Sequence, residues 1–149
     1  MTSNIAFLLE GNTFEKPLNP VIGETFQARS PDGGMMYLEQ TSHHPCISHY
    51  LIEGPNNCYS IDAWFQAEVK TGMTSFSVNY PGKKTLRFPD GQVITSTIPS
   101  DTFCNVMMGT IYRWIHGKIE YHDEKNGFYA YVDIGNVKKH SQEYFEGKI

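Results

Sequence analysis

The sequence predicts a mainly β protein, in which short antiparallel strands form one sheet or barrel behind a short N-terminal helix. Segments of alternating apolar and polar residues recur between clusters of Gly, Pro, Asn and Asp, which is typical of antiparallel hairpins. Helix signals nearly stop after residue 11. The chain has 149 residues, 40% of them hydrophobic and 19% charged, so we expect a packed core in a single domain over residues 1–149.

One helix is predicted, over residues 3–10. Ser3 is a suitable N-cap, the apolar residues between Ile5 and Leu9 form a stripe, and Gly11 suits the position after the last turn. This apolar run is too short to span a membrane and lacks the basic flank of a signal peptide.

The remaining chain predicts strands separated by turns. The expected single strands cover residues 25–29, 35–41, 47–53, 75–80, 85–88, 92–98, 117–122 and 128–134. Residues 58–71 predict one bulged strand or two strands, and residues 103–114 predict a strand interrupted at Gly109. Turns are expected at 31–34, 54–57, 81–84, 89–91 and 123–127, a looser stretch at 99–101, and the start of a further strand at 144–149.

The alternation of apolar and polar residues is clearest in residues 128–134, which predict a strand with one buried and one solvent-exposed face. Phe128, Ala130, Val132 and Ile134 lie on the face expected to be buried.

Charge and cysteine content exclude several classes of protein. The formal net charge is −4 and no run of Lys or Arg occurs, so we expect no nucleic-acid partner. Cys46, Cys58 and Cys104 are three widely spaced residues without a CxxC pair, which favours free thiols in the cytosol over disulfides or a zinc finger. No P-loop, dinucleotide fingerprint or nucleophile elbow is present, so no cofactor is expected.

Two segments stand out as candidates for a binding site. Residues 39–46 contain His43 and His44, which are followed by a proline, and residues 16–26 contain Lys16 and Asn19, each of which is followed by a proline. Prolines restrict the backbone around these side chains. Because one segment supplies two imidazoles and the other a lysine and an amide, we interpret them as halves of one anion-binding site.

Each of these residues also has a plainer interpretation. Lys16 before a proline is typical of a solvated lysine, and Asn19 before Pro20 is typical of a turn. Taken alone, a His-His pair is typical of an exposed strand end. A zinc site made of His43, His44 and His49 lacks regular ligand spacing and a suitable cysteine. A hydrolase that uses Ser42 with His43 or His44 is disfavoured, because neighbouring side chains on a strand point to opposite faces.

The two segments closely resemble the signatures of the oxysterol-binding protein family of lipid-transfer proteins. The family fingerprint is roughly Glu-Gln-Val-Ser-His-His-Pro-Pro, and residues 39–46 match it except that Thr41 replaces the valine and Cys46 the second proline. The upstream family segment, Lys-Pro-(Phe/Leu)-Asn-Pro-(hydrophobic)₂-Gly-Glu, is matched throughout by residues 16–24.

The resemblance implies an incompletely closed β-barrel, or curved sheet, with a tunnel for one lipid. Family members carry phosphatidylinositol 4-phosphate and often exchange it for a sterol or phosphatidylserine between membranes. The residues that correspond to head-group ligands are Lys16, Leu18, Asn19, His43 and His44. The implied protein is not an enzyme, holds no metal, lies in the cytoplasm and contacts organelle membranes peripherally at membrane contact sites.

The resemblance also implies that the domain is partial. Further head-group ligands of the family, a lysine, a glutamate and an arginine on a late helix, have no place in this sequence, and the family's N-terminal lid has no counterpart beyond residues 1–11. We therefore expect the N-terminal portion of such a domain. The alternative is a small β-sheet interaction module that keeps the motif without holding lipid.

Overall fold

The structure, a computed structural model, describes residues 20–135 and 145–149. The helix predicted at 3–10 and the site residues Lys16, Leu18 and Asn19 lie outside the described residues. The strands are β1 (Thr25–Arg29), β2 (Met35–His43), β3 (Cys46–Glu53), β4 (Ser60–Gln66), β5 (Glu68–Thr71), β6 (Ser75–Asn79), β7 (Gly82–Arg87), β8 (Val93–Ser96), β9 (Ser100–Cys104), β10 (Tyr112–Asp123), β11 (Phe128–Ile134) and β12 (Phe145–Lys148). A single 3-10 turn, Pro55–Asn57, separates β3 from β4.

Within the described residues, all the strand pairs are antiparallel and belong to one 12-stranded sheet. The main path runs β1-β2-β3-β4-β7-β8-β10-β9-β6-β5, and β11 branches from β10 to pair with β12. Since β1 and β5 end this path without pairing to each other, the described sheet is not closed into a full barrel. The predicted fold class, a mainly β, antiparallel and incompletely closed sheet, is confirmed.

The turn predicted at residues 81–84 is wrong, because Gly82 and the two lysines after it belong to β7. The reason lies in the neighbouring strand. A Cβ atom at Gly82 would lie 2.2 Å from the Trp64 carbonyl oxygen and 2.7 Å from the Phe65 Cα. Glycine is therefore present because β4 and β7 approach closely, and not because the chain turns.

Two further boundaries differ from the prediction. The loose stretch predicted at 99–101 already contains the start of β9 at Ser100. The strands predicted to end at residue 114 and to begin at residue 117 are joined in the structure, where β10 runs from Tyr112 to Asp123. Gly117 has φ +118°, a backbone conformation that side chains disfavour, so it adjusts the strand locally without ending it.

The core lies on one side of the sheet, here called the inner face. Its buried apolar side chains are Ala63, Val78, Ile115, Ile119, Ala130, Val132 and Ile134. As predicted, β11 buries Ala130, Val132 and Ile134. Phe128 is 61% exposed instead, because it pairs with the last residue of β10 at the hairpin end, where the core stops.

An ion pair lies among these apolar residues. The Arg113 Nε and Nη2 atoms donate to the two carboxylate oxygens of Asp101 at 2.8 and 3.0 Å, and the Tyr80 hydroxyl donates to Asp101 Oδ2 at 3.1 Å. The side chain of Asp101 is 5% exposed and that of Arg113 16%. Burial, and then the charge of Asp101, raise the pKa of Tyr80, so its hydroxyl keeps its proton and remains a donor.

In the part of the chain that the structure describes, no helix is both long and apolar enough to cross a membrane.

Candidate functional site

The histidine pair lies at the tip of the β2–β3 hairpin. His43 is the last residue of β2 and pairs with Cys46, the first residue of β3, so His44 and Pro45 form the connection. The His44–Pro45 peptide bond is cis. Both histidines are exposed.

The two imidazole rings lie together. Their centroids are 4.6 Å apart and their planes meet at 60°, an edge-to-face arrangement. Side chains of successive residues diverge along a regular strand, but His44 belongs to the turn and not to β2. Two imidazoles at one hairpin tip can each offer a ring N–H donor to a single anionic group.

A β-bulge shapes the strand just before the pair. Gln40 pairs with Ser48 and Ser42 pairs with Ile47, so Thr41 is an extra residue on β2. Without the extra residue, positions 40 and 43 would face opposite sides of the sheet. With it, His43 shares the inner side with Gln40.

Gln40 contacts His43 directly. Its amide Nε2 lies 3.0 Å from His43 Nδ1, and the Gln40 side chain is only 2% exposed. A buried amide anchors one ring nitrogen, while the ring itself remains accessible. The candidate residues chosen from the sequence did not include Gln40, although it lies inside the 39–46 segment. The bulge that brings it to His43 has no clear signal in the local sequence.

Residues 20–24 of the upstream segment lead through a turn into β1. The Val21 N–H donates to Glu24 Oε2 at 3.0 Å and the Glu24 N–H donates to the Val21 carbonyl at 2.9 Å, which closes a turn before β1. β1 then starts with Thr25 opposite Glu39, four residues before His43. The chain that follows Lys16, Leu18 and Asn19 thus enters the sheet at the end that carries the histidines.

The geometry also bears on the two alternative sites. His49 pairs with Glu39 and Trp64 on the outer face, whereas His43 is on the inner side, so the three histidines do not converge on one metal position. Ser42 likewise alternates with His43, which separates a potential nucleophile from its base. Among residues 20–135 and 145–149, no three His, Cys, Asp or Glu side chains are grouped to hold a metal ion.

The open antiparallel sheet and the exposed histidine hairpin at one end define the class of protein, an incompletely closed all-antiparallel β-barrel domain. The chain belongs to the oxysterol-binding protein family, since a sequence model described as "Oxysterol-binding protein" matches residues 2–149. The resemblance inferred from the two motifs is therefore confirmed.

Curated relatives are similar over most of this chain. Oxysterol-binding protein 9 of Dictyostelium discoideum is 31% identical over 114 residues, which cover 76% of this chain and 27% of that protein. Oxysterol-binding protein-related protein 1 of Mus musculus is 32% identical over 114 residues, which cover 75% of this chain and 12% of that protein. The chain thus spans about a quarter or less of these relatives.

Solved structures share the fold. The Osh1 ORD domain in complex with cholesterol superimposes with a TM-score of 0.75 at 25% identity, over 89% of this chain and 32% of that one. The Osh3 ORD of Saccharomyces cerevisiae in complex with PI(4)P superimposes with a TM-score of 0.72 at 24% identity, over 85% of this chain and 34% of that one.

Proposed function

We propose that the chain binds phosphatidylinositol 4-phosphate and is the N-terminal portion of a single lipid-transfer domain. The observation that carries the proposal is the pair of exposed imidazole rings, 4.6 Å apart at a hairpin tip, in a chain of this family. That the Osh3 domain is in complex with PI(4)P supports the choice of ligand. The protein acts by binding and carrying lipid and not by catalysis.

The head group is held by Lys16, Leu18, Asn19, His43 and His44. A phosphomonoester has a second pKa of ~6 and is mostly dianionic at neutral pH, so it requires several donors and compensating positive charge. Lys16 supplies a cation and the histidines supply ring N–H groups, while Asn19 bonds inositol hydroxyls. The entry of the upstream segment opposite Glu39 supports a shared site.

The inner face of the sheet receives the apolar part of the lipid. Near the β1 edge this face carries Phe26 and Leu38, which are 59% and 37% exposed, beside the half-buried Met36, Tyr50 and Ile52. Exposed apolar side chains on the core side of an open sheet are suited to an apolar ligand. A sterol or phosphatidylserine is the counter-ligand in exchange between membranes, in line with the cholesterol complex of Osh1.

Binding to vesicles tests the head-group assignment. Replacing Lys16 by alanine is expected to weaken binding to phosphatidylcholine vesicles that contain phosphatidylinositol 4-phosphate by about tenfold or more, the effect of one lost charge-assisted hydrogen bond. Flotation of the protein with vesicles, with and without the phosphoinositide, measures the affinity. The control is Lys83→Ala, which removes an exposed lysine from β7.

Equal affinities of the wild-type chain for both kinds of vesicle would instead favour the small interaction module that keeps the motif without lipid. An equal loss of affinity in the Lys16→Ala and Lys83→Ala variants would mean that the effect comes from net charge, and it would contradict a specific site.

Two neighbouring loops supply a peripheral membrane contact. The β5–β6 turn exposes 93% of Met73, and the β9–β10 loop exposes 73% of Met107 and 83% of Met108. The Val106 N–H donates to the Thr74 carbonyl at 3.0 Å, which joins the two loops. Flexible, apolar methionines suit insertion between lipid head groups.

The position of these loops fits the proposed head-group site. The Ala67 N–H, between β4 and β5, donates to the Cys46 carbonyl at 3.0 Å, next to the histidine hairpin. β5 continues from that point to the Met73 turn. Neither loop contains an acidic residue, and Lys70 is exposed nearby, which favours contact with the anionic cytoplasmic surface of an organelle membrane.

Replacing Met107 and Met108 together by aspartate is expected to weaken vesicle binding roughly tenfold or more, because two apolar side chains are lost and two charges are repelled by anionic lipid. Vesicle flotation at two phosphatidylserine contents measures the effect. Phe128→Asp is the control, since Phe128 is also exposed but lies at the β10–β11 hairpin, the other end of the sheet. A loss as large in Phe128→Asp would contradict a specific docking end.

A further inference from the structure

We propose that Gln40 is a positioning residue that fixes the proton of neutral His43 on Nε2, so that the exposed edge of the ring is a hydrogen-bond donor to phosphate. The position of the proton follows from the geometry of the free protein. Its use toward phosphate rests on the function proposed above.

The bulge creates the contact. Because Thr41 is inserted between two paired positions of β2 and β3, the residues at 40 and 43 lie on one side of the hairpin. Gln40 Nε2 and His43 Nδ1 are then 3.0 Å apart, within hydrogen-bond distance. A regular strand would have placed the glutamine and the histidine on opposite sides.

The chemistry of the two groups sets the direction of the bond. The structure turns the amide nitrogen of Gln40 toward the ring, and in this orientation the nitrogen donates and Nδ1 of His43 accepts without a proton of its own. A neutral imidazole has one proton, which therefore lies on Nε2, at the ring edge away from Gln40. The donor faces outward without requiring the histidine to be charged.

Burial of the Gln40 side chain stabilises its hydrogen bond to His43. Gln40 is 2% exposed, whereas His43 is exposed. A buried amide donor that loses its acceptor is not compensated by water, so the glutamine holds the ring nitrogen in place. The neighbouring His44 ring, 4.6 Å away, is kept beside a ring of fixed orientation.

The proton position can be observed without any lipid. The whole chain is labelled with ¹⁵N-histidine and measured at a pH where His43 is neutral. Long-range ¹H–¹⁵N spectra are then expected to show a protonated Nε2 and an unprotonated Nδ1. Gln40→Glu replaces the donor by a carboxylate acceptor, and the proton is expected to move to Nδ1 or the ring to become doubly protonated. A wild-type spectrum with the proton on Nδ1 would overturn the proposal, as would an unchanged His43 spectrum in a folded Gln40→Glu variant.

A second substitution covers the case in which a buried glutamate prevents folding. Gln40→Met keeps a similar shape without the donor, and the Nδ1 resonance of His43 is expected to shift as its hydrogen bond disappears. The matched control is Gln66→Met. It makes the same substitution on β4, where the Gln66 amide bonds Glu68 Oε1 at 3.4 Å, and is expected to leave the His43 resonances unchanged. No shift in Gln40→Met, or an equal shift in Gln66→Met, would contradict the proposal.

Vesicle binding then tests the use of the donor. Gln40→Met is expected to weaken binding to phosphatidylcholine vesicles with phosphatidylinositol 4-phosphate by roughly fivefold to thirtyfold, while Gln66→Met binds as the wild type. A fixed proton with unchanged binding in Gln40→Met would overturn the functional part alone. If the wild-type chain binds vesicles with and without the phosphoinositide equally, the proposed function is contradicted, while the spectra still test the role of Gln40.

Discussion

Replacing both His43 and His44 by alanine is expected to lower the affinity for phosphatidylinositol 4-phosphate vesicles roughly 100-fold or more. Each ring offers a hydrogen bond to a charged phosphate, an interaction of about 1.5–3 kcal/mol, and about 1.4 kcal/mol corresponds to a factor of ten in affinity. The rings lie 4.6 Å apart, so both can reach one phosphate, and the losses are expected to combine. Flotation and extraction of labelled lipid from vesicles measure the effect.

The control removes two other imidazoles. His49 and His122 are both exposed, but they lie on the outer face, on β3 and β10. The His49→Ala/His122→Ala variant is therefore expected to bind as the wild type. If it lost as much affinity as the variant at the hairpin tip, the effect would be one of overall charge. Unchanged binding in His43→Ala/His44→Ala would exclude the histidines from the site.

The elements that the sequence predicted well are those specified by short-range patterns. Alternation between two turn clusters predicted β1 at Thr25–Arg29 and β11 at Phe128–Ile134 with the bounds that the structure has. The β7 boundary was missed because the glycine at position 82 is required by the close approach of the β4 backbone, which is distant in sequence. The placement of β9 between β10 and β6 is likewise a property of tertiary packing.

For the candidate site, the sequence provided the residue types but not their relative positions. The histidine pair was recognisable, and the family resemblance assigned it a ligand. The contact between Gln40 and His43 was not predictable, because the bulge at Thr41 exists only in the pairing of β2 with β3. Local patterns specify which side chains a strand carries, whereas the partner strand decides which of them meet.

The ion pair of Asp101 and Arg113 has the second large expected effect, on stability. Replacing Asp101 by leucine is expected to lower the free energy of unfolding by about 3–5 kcal/mol, because a guanidinium that is only 16% exposed loses its carboxylate. Tyr80 loses its acceptor in the same variant. Urea unfolding, followed by the fluorescence of the two tryptophans, measures the change. The control is Asp62→Leu, since the Asp62–Arg87 pair is 48% and 49% exposed and its loss is expected to cost about 1 kcal/mol or less.

A double substitution separates the value of the pair from the cost of breaking it. If the main penalty in Asp101→Leu is the loss of the carboxylate beside the Arg113 charge, then Asp101→Leu/Arg113→Leu removes that charge and is expected to recover at least half of the lost stability. The two leucines would extend the apolar inner face around Val78 and Ile115. Additive losses in the double variant would mean that Asp101 and Arg113 stabilise the sheet independently. The coupling predicted from their bonds of 2.8 and 3.0 Å would then be contradicted.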